Sequence, residues 1–386
     1  MRRFGRAIVA ILVAGPLLLT RSVIADEFAS RLAIFADSEN NYVLTGATQV
    51  RTPLAERFNL GARLLVDGVS GASTKAGDDV EDAYLGGYSN RKRTRYEFSQ
   101  PNWLRQRYEL SGFGDARHGE WEESGGYIYS YESVYESHTA WGSIRRHLWQ
   151  RNSTVSATYF HNFDTVNAED DTRARELDLP GRKDVDGGAL GWQQVLGRRS
   201  IAMFSAAGRV ERGVLESPER DVLVWREPGV LEISPERLPD ARRRGAVAVR
   251  AARLVGNDAS VHAGVQYDFD DWGLAAPSAR IMAFRRFGSG TILRARLRAY
   301  TQNESRWFGT IAHADRDRSY TANAQMQGFT SWLGGLRWTW NSGDVPGAIT
   351  AVSGGLDVDL YYQTPRNEMK QGYFAPIVGA NVLFLW

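Results

Sequence analysis

Acids and bases that alternate along β-like stretches are the chemistry this chain of 386 residues offers. Asp268, Asp270 and Asp271 crowd one segment, YDFDDWGL, and Asp67, Glu132, Asp315 and Asp317 stand elsewhere. Carboxylates at a strand end can collect Ca²⁺ or Mg²⁺, which prefer oxygen ligands. Asp184-Val185-Asp186-Gly187 matches only a fragment of a calcium loop, because the third acid and the closing glutamate are absent. Pairing with the chain's many arginines is the competing use of these acids, and it is the one we expect. No metal and no cofactor is expected.

Hydrolysis would need a serine beside a histidine, or an aspartate–histidine pair that activates water. The histidines are His118, His138, His147, His161, His262 and His313. His262 shares a polar face with Asp268, but six residues of strand put them about 20 Å apart. His313-Ala314-Asp315 falls in a loop-like stretch. A hydrolase is therefore a minor alternative, and no catalytic residue is assigned. Absent cysteine removes disulfides, thiolate metal sites and thiol nucleophiles.

Transport is the third chemistry. Arg294, Arg296 and Arg298 form a basic ladder on one strand, and His262, Gln266, Asp268 and Asp270 line another. Arg280, Arg285 and Arg286 lie on the segment between them. Neighbouring strands are about 4.8 Å apart, so the ladders are expected to face each other on a curved wall. Opposed rows of charge would tune selectivity in a water-filled pore. The competing reading is a plugged lumen in which the same charges neutralise one another.

Such ladders need a sheet to hold them. Val261, Ala263, Val265, Tyr267 and Phe269 share one face of their strand, opposite the polar set. Leu293, Ala295, Leu297 and Ala299 oppose the arginines, and Leu356, Val358, Leu360 and Tyr362 oppose Ser353, Asp357, Asp359 and Tyr361. Period-two alternation marks a strand wet on one face only. Segments of this kind centre near Ala33, Gly46, Leu64, Tyr108, Tyr129, Ile144, Ala157, Trp192, Ser205, Val249, Val265, Ala283, Arg296, Trp332, Val358 and Val382. Short connections, such as Thr52 to Glu56, alternate with long ones; the long ones run roughly over 70–93, 165–186, 211–244 and 303–320. That asymmetry, with an even count of about 16, predicts an all-β, antiparallel outer-membrane β-barrel with short periplasmic turns and long extracellular loops. Val222 to Ile233, two β-rich runs around Glu227-Pro228-Gly229, predicts a hairpin above the barrel or in its mouth.

The ends agree. Basic Met1 to Arg6, apolar Ala7 to Leu19 and small-residue Val23-Ile24-Ala25 predict a cleaved signal peptide over 1–25, with the barrel over 26–386. The apolar core is too short to span a bilayer as a helix. The last strand alternates to Phe384 and Trp386, an aromatic ending expected to be read by the barrel-assembly machinery. Of 47 basic and 45 acidic residues, Arg2, Arg3, Arg6 and Arg21 precede the cleavage point, which leaves 43 against 45, or about −2. That is no footprint for nucleic acid. Outer-membrane lipid is the expected surrounding.

Five motifs, in order, resemble an uncharacterised family of Gram-negative outer-membrane β-barrels described only as a domain of unknown function. They are Asp67-Gly68-Val69-Ser70-Gly71-Ala72-Ser73, Ser130-Tyr131-Glu132-Ser133-Val134-Tyr135-Glu136-Ser137, Pro239-Asp240-Ala241-Arg242, Asp270-Asp271-Trp272-Gly273-Leu274 and Arg298-Ala299-Tyr300-Thr301-Gln302. Val134 replaces an acid of the pattern, and Ala275 to Ser278 lacks the Ser-His-Thr that follows D-D-W-G there. The resemblance implies the barrel and its location, and no activity. It also implies neighbours of thioredoxin-like and flavin-transferring kind, hence a periplasmic or surface lipoprotein or redox partner. The function expected is a porin-like passive channel for small polar or anionic solutes; the alternative is a scaffold docking an envelope partner.

Overall fold

A sheet with one apolar and one polar face, joined by tight turns, removes its edges only by closing. The computed structural model closes it. The structure describes residues 27–36, 42–70, 104–168, 171–218, 220–227, 230–288, 290–309, 311–313, 317–344, 351–366 and 372–385. The predicted signal peptide, Gly71 to Ser73, Asp315 and Trp386 lie outside the described residues, as does the side chain of Ser70.

The first nine strands form a meander: β1 (Glu27–Ala36), β2 (Tyr42–Ala55), β3 (Phe58–Ser70), β4 (Leu104–His118), β5 (Trp121–Glu132), β6 (Tyr135–Leu148), β7 (Ser153–Val166), β8 (Gly181–Gly197) and β9 (Ser200–Gly213). A short helix, α1 (Asp171–Glu176), stands between β7 and β8. After β10 (Asp221–Glu227) and β11 (Val230–Pro235) the wall resumes with β12 (Ala241–Val255), β13 (Ala259–Asp270), β14 (Ala275–Phe287) and β15 (Thr291–Gln302). Then come β16 (Ile311–His313), β17 (Phe329–Asp344), β18 (Ala351–Pro365) and β19 (Tyr373–Leu385). Sixteen of these strands make a closed antiparallel barrel. Its seam is β1 on β19, from Glu27 opposite Leu385 to Phe35 opposite Ile377. Every strand centre expected from the alternation falls inside one of the sixteen.

The faces divide as the alternation requires. Val265, Tyr267, Phe269, Leu293, Leu297, Trp332, Leu336, Leu356, Val358 and Tyr362 are exposed on the outside. A surface so apolar is a lipid-facing surface in kind rather than a soluble one. Phe384 packs its ring against fully buried Phe28 across the seam, centroids 6.1 Å apart. Among the described residues no helix is long and apolar enough to cross a membrane.

Two expectations about loops need correction. Pairing of β8 with β7 and β9 extends down to Gly181 and Lys183, so Asp184 to Gly187 is strand. The calcium-loop fragment is therefore drawn straight and cannot wrap an ion. Likewise Thr52 to Ala55 stays in β2, and the turn is only the two residues before Phe58.

At the long-loop end, the predicted hairpin forms as β10 on β11 and gains a third strand, β16, parallel to β10. Val222, Val224, Ala312, Tyr320 and Ala322 make its buried core. A second cluster, Leu238, Trp272 and Met326, joins this small sheet to the barrel rim.

Candidate functional site

The lumen wall between β12 and β19 carries rows of inward charge. Arg294 and Arg296 do not face Asp268 and Asp270, as expected, but turn the other way around the wall. Arg294 donates to Asp357 at 3.0 Å, and Arg296 donates through Nε to Asp359 at 2.7 Å. Arg337 sits 3.7 Å from Asp357 and donates to Asn381 at 2.8 Å. The reason is register. Arg294, Arg337 and Asp357 stand opposite one another on β15, β17 and β18, and Arg296, Gly335 and Asp359 form the next row. A Cβ on Gly335 would fall inside the Asp359 carboxylate, so glycine there is what lets Asp359 lie across β17 to Arg296. On the other side, Arg296 shares its row with Met282 and His262. Asp268, by contrast, pairs with Ala276, which lies beyond the last row that joins β14 to β15, Ser278 opposite Tyr300.

Asp268 instead accepts from Gln266 at 3.0 Å, while Asp270 does turn to an arginine, Arg242, whose Nε donates at 2.8 Å. Both side chains of that pair are buried. Asp270 also accepts from Leu274 N at 2.8 Å and so closes its own turn. Asp271 accepts from Arg243 N at 3.0 Å, clamping β12. Trp272 is buried, donates Nε1 to Ala241 O at 3.0 Å, and lies under the Arg242 guanidinium at 4.4 Å. Gly273 has φ +90°, a conformation other residues rarely adopt. The D-D-W-G motif is thus a rim hub that ties three chain segments together.

The other motif residues are also anchors. Asp67 lies 3.8 Å from Arg107 on the lumen side. Ser70 closes β3, its backbone opposite Leu104. Tyr135 donates its hydroxyl to buried Asp164, and Glu132 stands directly across from Tyr135. Val134 is buried in the turn between β5 and β6. Asp240 is exposed, with its carbonyl accepting from Gly213 N at 2.8 Å. Tyr300 donates to Gln302 at 2.6 Å, and buried Gln302 holds Gln325 O and Gln327 O at 2.9 and 2.6 Å. These residues fasten the segment after β15 onto the rim.

Elsewhere around the lumen, several charges are neutralised locally. Arg51 and Asp115 pair at 2.6 Å, Glu122 and Arg145 at 2.9 Å, and Glu211 takes Arg209 at 2.7 Å and Arg244 at 3.5 Å. Each ion pair named here joins strands no more than two apart around the wall.

Sequence reasoning passed over one serine–histidine contact, Ser260 Oγ to His262 Nε2 at 3.2 Å. His262 rests on the Phe284 ring at 4.7 Å and has no acid on Nδ1 among the described residues to orient it as a base. His147 bridges Glu122 at 3.2 Å and Thr154 at 3.0 Å, but Glu122 is held by Arg145 and Arg117 as part of an ion-pair cluster. His313 N donates to Asp317 Oδ2 at 2.8 Å. Among the described residues no group of three or more His, Asp or Glu side chains is placed to hold a metal.

A family model described as "Protein of unknown function (DUF3570)" matches residues 13–379. No curated protein matches the chain. Among solved structures, a bacterial polysaccharide outer membrane secretin is similar at 10% identity, over 94% of this chain and 100% of that one, with a TM-score of 0.48. The outer membrane protein OpdK from Pseudomonas aeruginosa is similar at 6% identity, over 93% and 98%, with a TM-score of 0.43. The siderophore receptor PirA from Pseudomonas aeruginosa matches at 10% identity and a TM-score of 0.38 over 88% of this chain, which spans only 57% of the receptor's length. At these values the likeness is one of barrel class and carries no solute or partner.

Proposed function

We propose that this chain, which belongs to the DUF3570 family of proteins of unknown function, is a porin-like passive channel of the bacterial outer membrane for small polar or anionic solutes. The family description states no activity, so the reading rests on the lumen. One observation carries it: the inward ion pairs run along the wall between near-neighbour strands, from Arg294–Asp357 to Arg51–Asp115, rather than across the bore. A barrel of this strand number leaves an aqueous space unless something fills it. Charges that satisfy one another sideways keep the wall polar without filling that space. In this reading the long-loop end faces outward, the short turns face the periplasm, and the apolar face meets lipid.

Liposome swelling tests passage. Proteoliposomes should swell in arabinose-sized neutral solutes and more slowly in large oligosaccharides. Swelling no faster than in protein-free liposomes would reject passage. The scaffold alternative has its own support in the small sheet of β10, β11 and β16, a folded platform at the outer end. Failure to swell, together with stoichiometric recovery of an envelope partner, would favour it.

A further inference from the structure

One stretch of lumen wall brings three arginines together. Arg250, Gly264, Arg280 and Arg298 form a single row across β12, β13, β14 and β15. Arg280 and Arg298 are direct cross-strand partners. Like charges in that position repel and cost stability. Arg250 leans over Gly264 toward them, close enough that a Cβ there would come within 3.0 Å of its Cγ. Among the described residues, no carboxylate lies within ion-pair reach of any of the three. Among the described residues, the one specific contact of Arg298 is its guanidinium over the Tyr300 ring at 5.2 Å. The first acid along β13 from Gly264 is Asp268, four residues and about 13 Å away, and it is engaged by Gln266.

These arginines line a cavity of about 370 Å³ together with Ser278, Met282 and Leu333. Guanidinium forks match carboxylate geometry, and Met282 and Leu333 add apolar surface beside them. We propose that this row is a binding site for a small organic carboxylate, whose charge takes the place of the missing acid and whose apolar body rests on Met282 and Leu333. The proposal rests on the water-filled lumen that passage requires. Retention must stay weak, since a conducting site has to release what it binds.

Saturation-transfer NMR on the refolded barrel in detergent, with benzoate as probe, tests the site without requiring permeation. Benzoate should bind saturably and outcompete inorganic phosphate; benzyl alcohol should show no saturable binding. Arg280→Gln should weaken benzoate about tenfold, the loss of one charged hydrogen-bond donor. The Arg250→Gln/Arg280→Gln/Arg298→Gln variant, with its fold checked by heat-modifiable migration, should abolish binding. Arg253→Gln, exposed on the outer face, should change nothing. Absent saturable benzoate binding, or binding equal in the wild type and in Arg280→Gln or the triple variant, would overturn the site. Phosphate competing as strongly as benzoate would overturn the organic carboxylate. Open channels without a benzoate site would reject this inference alone, and a benzoate site without swelling would reject passage alone.

Discussion

Asp270→Ala should destabilise the barrel by about 3–5 kcal/mol, the loss found when one partner of a buried ion pair is removed. The Arg242 and Asp270 side chains are 8% and 1% exposed, so the guanidinium left behind has little water to recover. Leu274 N also loses its acceptor, and an unsatisfied buried donor adds about 1–3 kcal/mol. The neighbouring Asp271 makes a sharp contrast, because its single bond to Arg243 N is exposed. Asp271→Ala should cost about 1 kcal/mol. Urea titration of the folded band in detergent reads both. The double variant Arg242→Met/Asp270→Ala should recover much of the loss, since no charge is then buried unpaired. Equal effects of the two single substitutions would show that the motif is not built around the Arg242–Asp270 pair.

The second large effect is local. Glu236 has a fully buried side chain that accepts from Ser217 N at 2.6 Å, from Arg220 at 3.2 Å and from the Thr321 hydroxyl. It therefore ties the approach to β10, the exit from β11 and the segment after β16 at one point. Glu236→Ala leaves three donors without an acceptor. Arg220 is partly exposed and can rehydrate, so the cost is placed at the low end for a broken buried pair, about 3 kcal/mol. Because the small sheet has its own core, separate from the barrel wall, the loss should appear as local opening. Hydrogen exchange at Val222 to Val224 should speed by about a hundredfold, while β13 and β14 keep their protection. Uniform acceleration across the barrel would mean that the sheet and the wall unfold as one unit.

Most of the wall was legible because strand alternation is local. Val265, Tyr267 and Phe269 could be assigned to the outer face from spacing alone, and they are exposed there. The hairpin of β10 and β11 was readable from its turn residues. Partnership across strands was not read correctly. The turns at 271–274 and 288–290 are short enough to fix register by counting, and that count already sets Asp268 rows above Arg296. Distance between strands alone sets the ladders face to face; the register is what separates them. Asp357 and Asp359 are a different case, since they reach Arg294 and Arg296 only through β17. Its register to β15 is set across the segment 303–328, where nothing local specifies the offset. β16 was missed because three residues carry no periodic signal, and its pairing is to a distant strand.

The open lumen is the claim on which the rest depends, and single-channel recording measures it most directly. Refolded protein, with insertion confirmed by its heat-modifiable band, should produce discrete, stable conductance steps in a planar bilayer. The reversal potential under a KCl gradient should favour anions, as the unpaired Arg250, Arg280 and Arg298 require. Inserted barrel that passes no current, or that passes it with cation preference, would contradict the account.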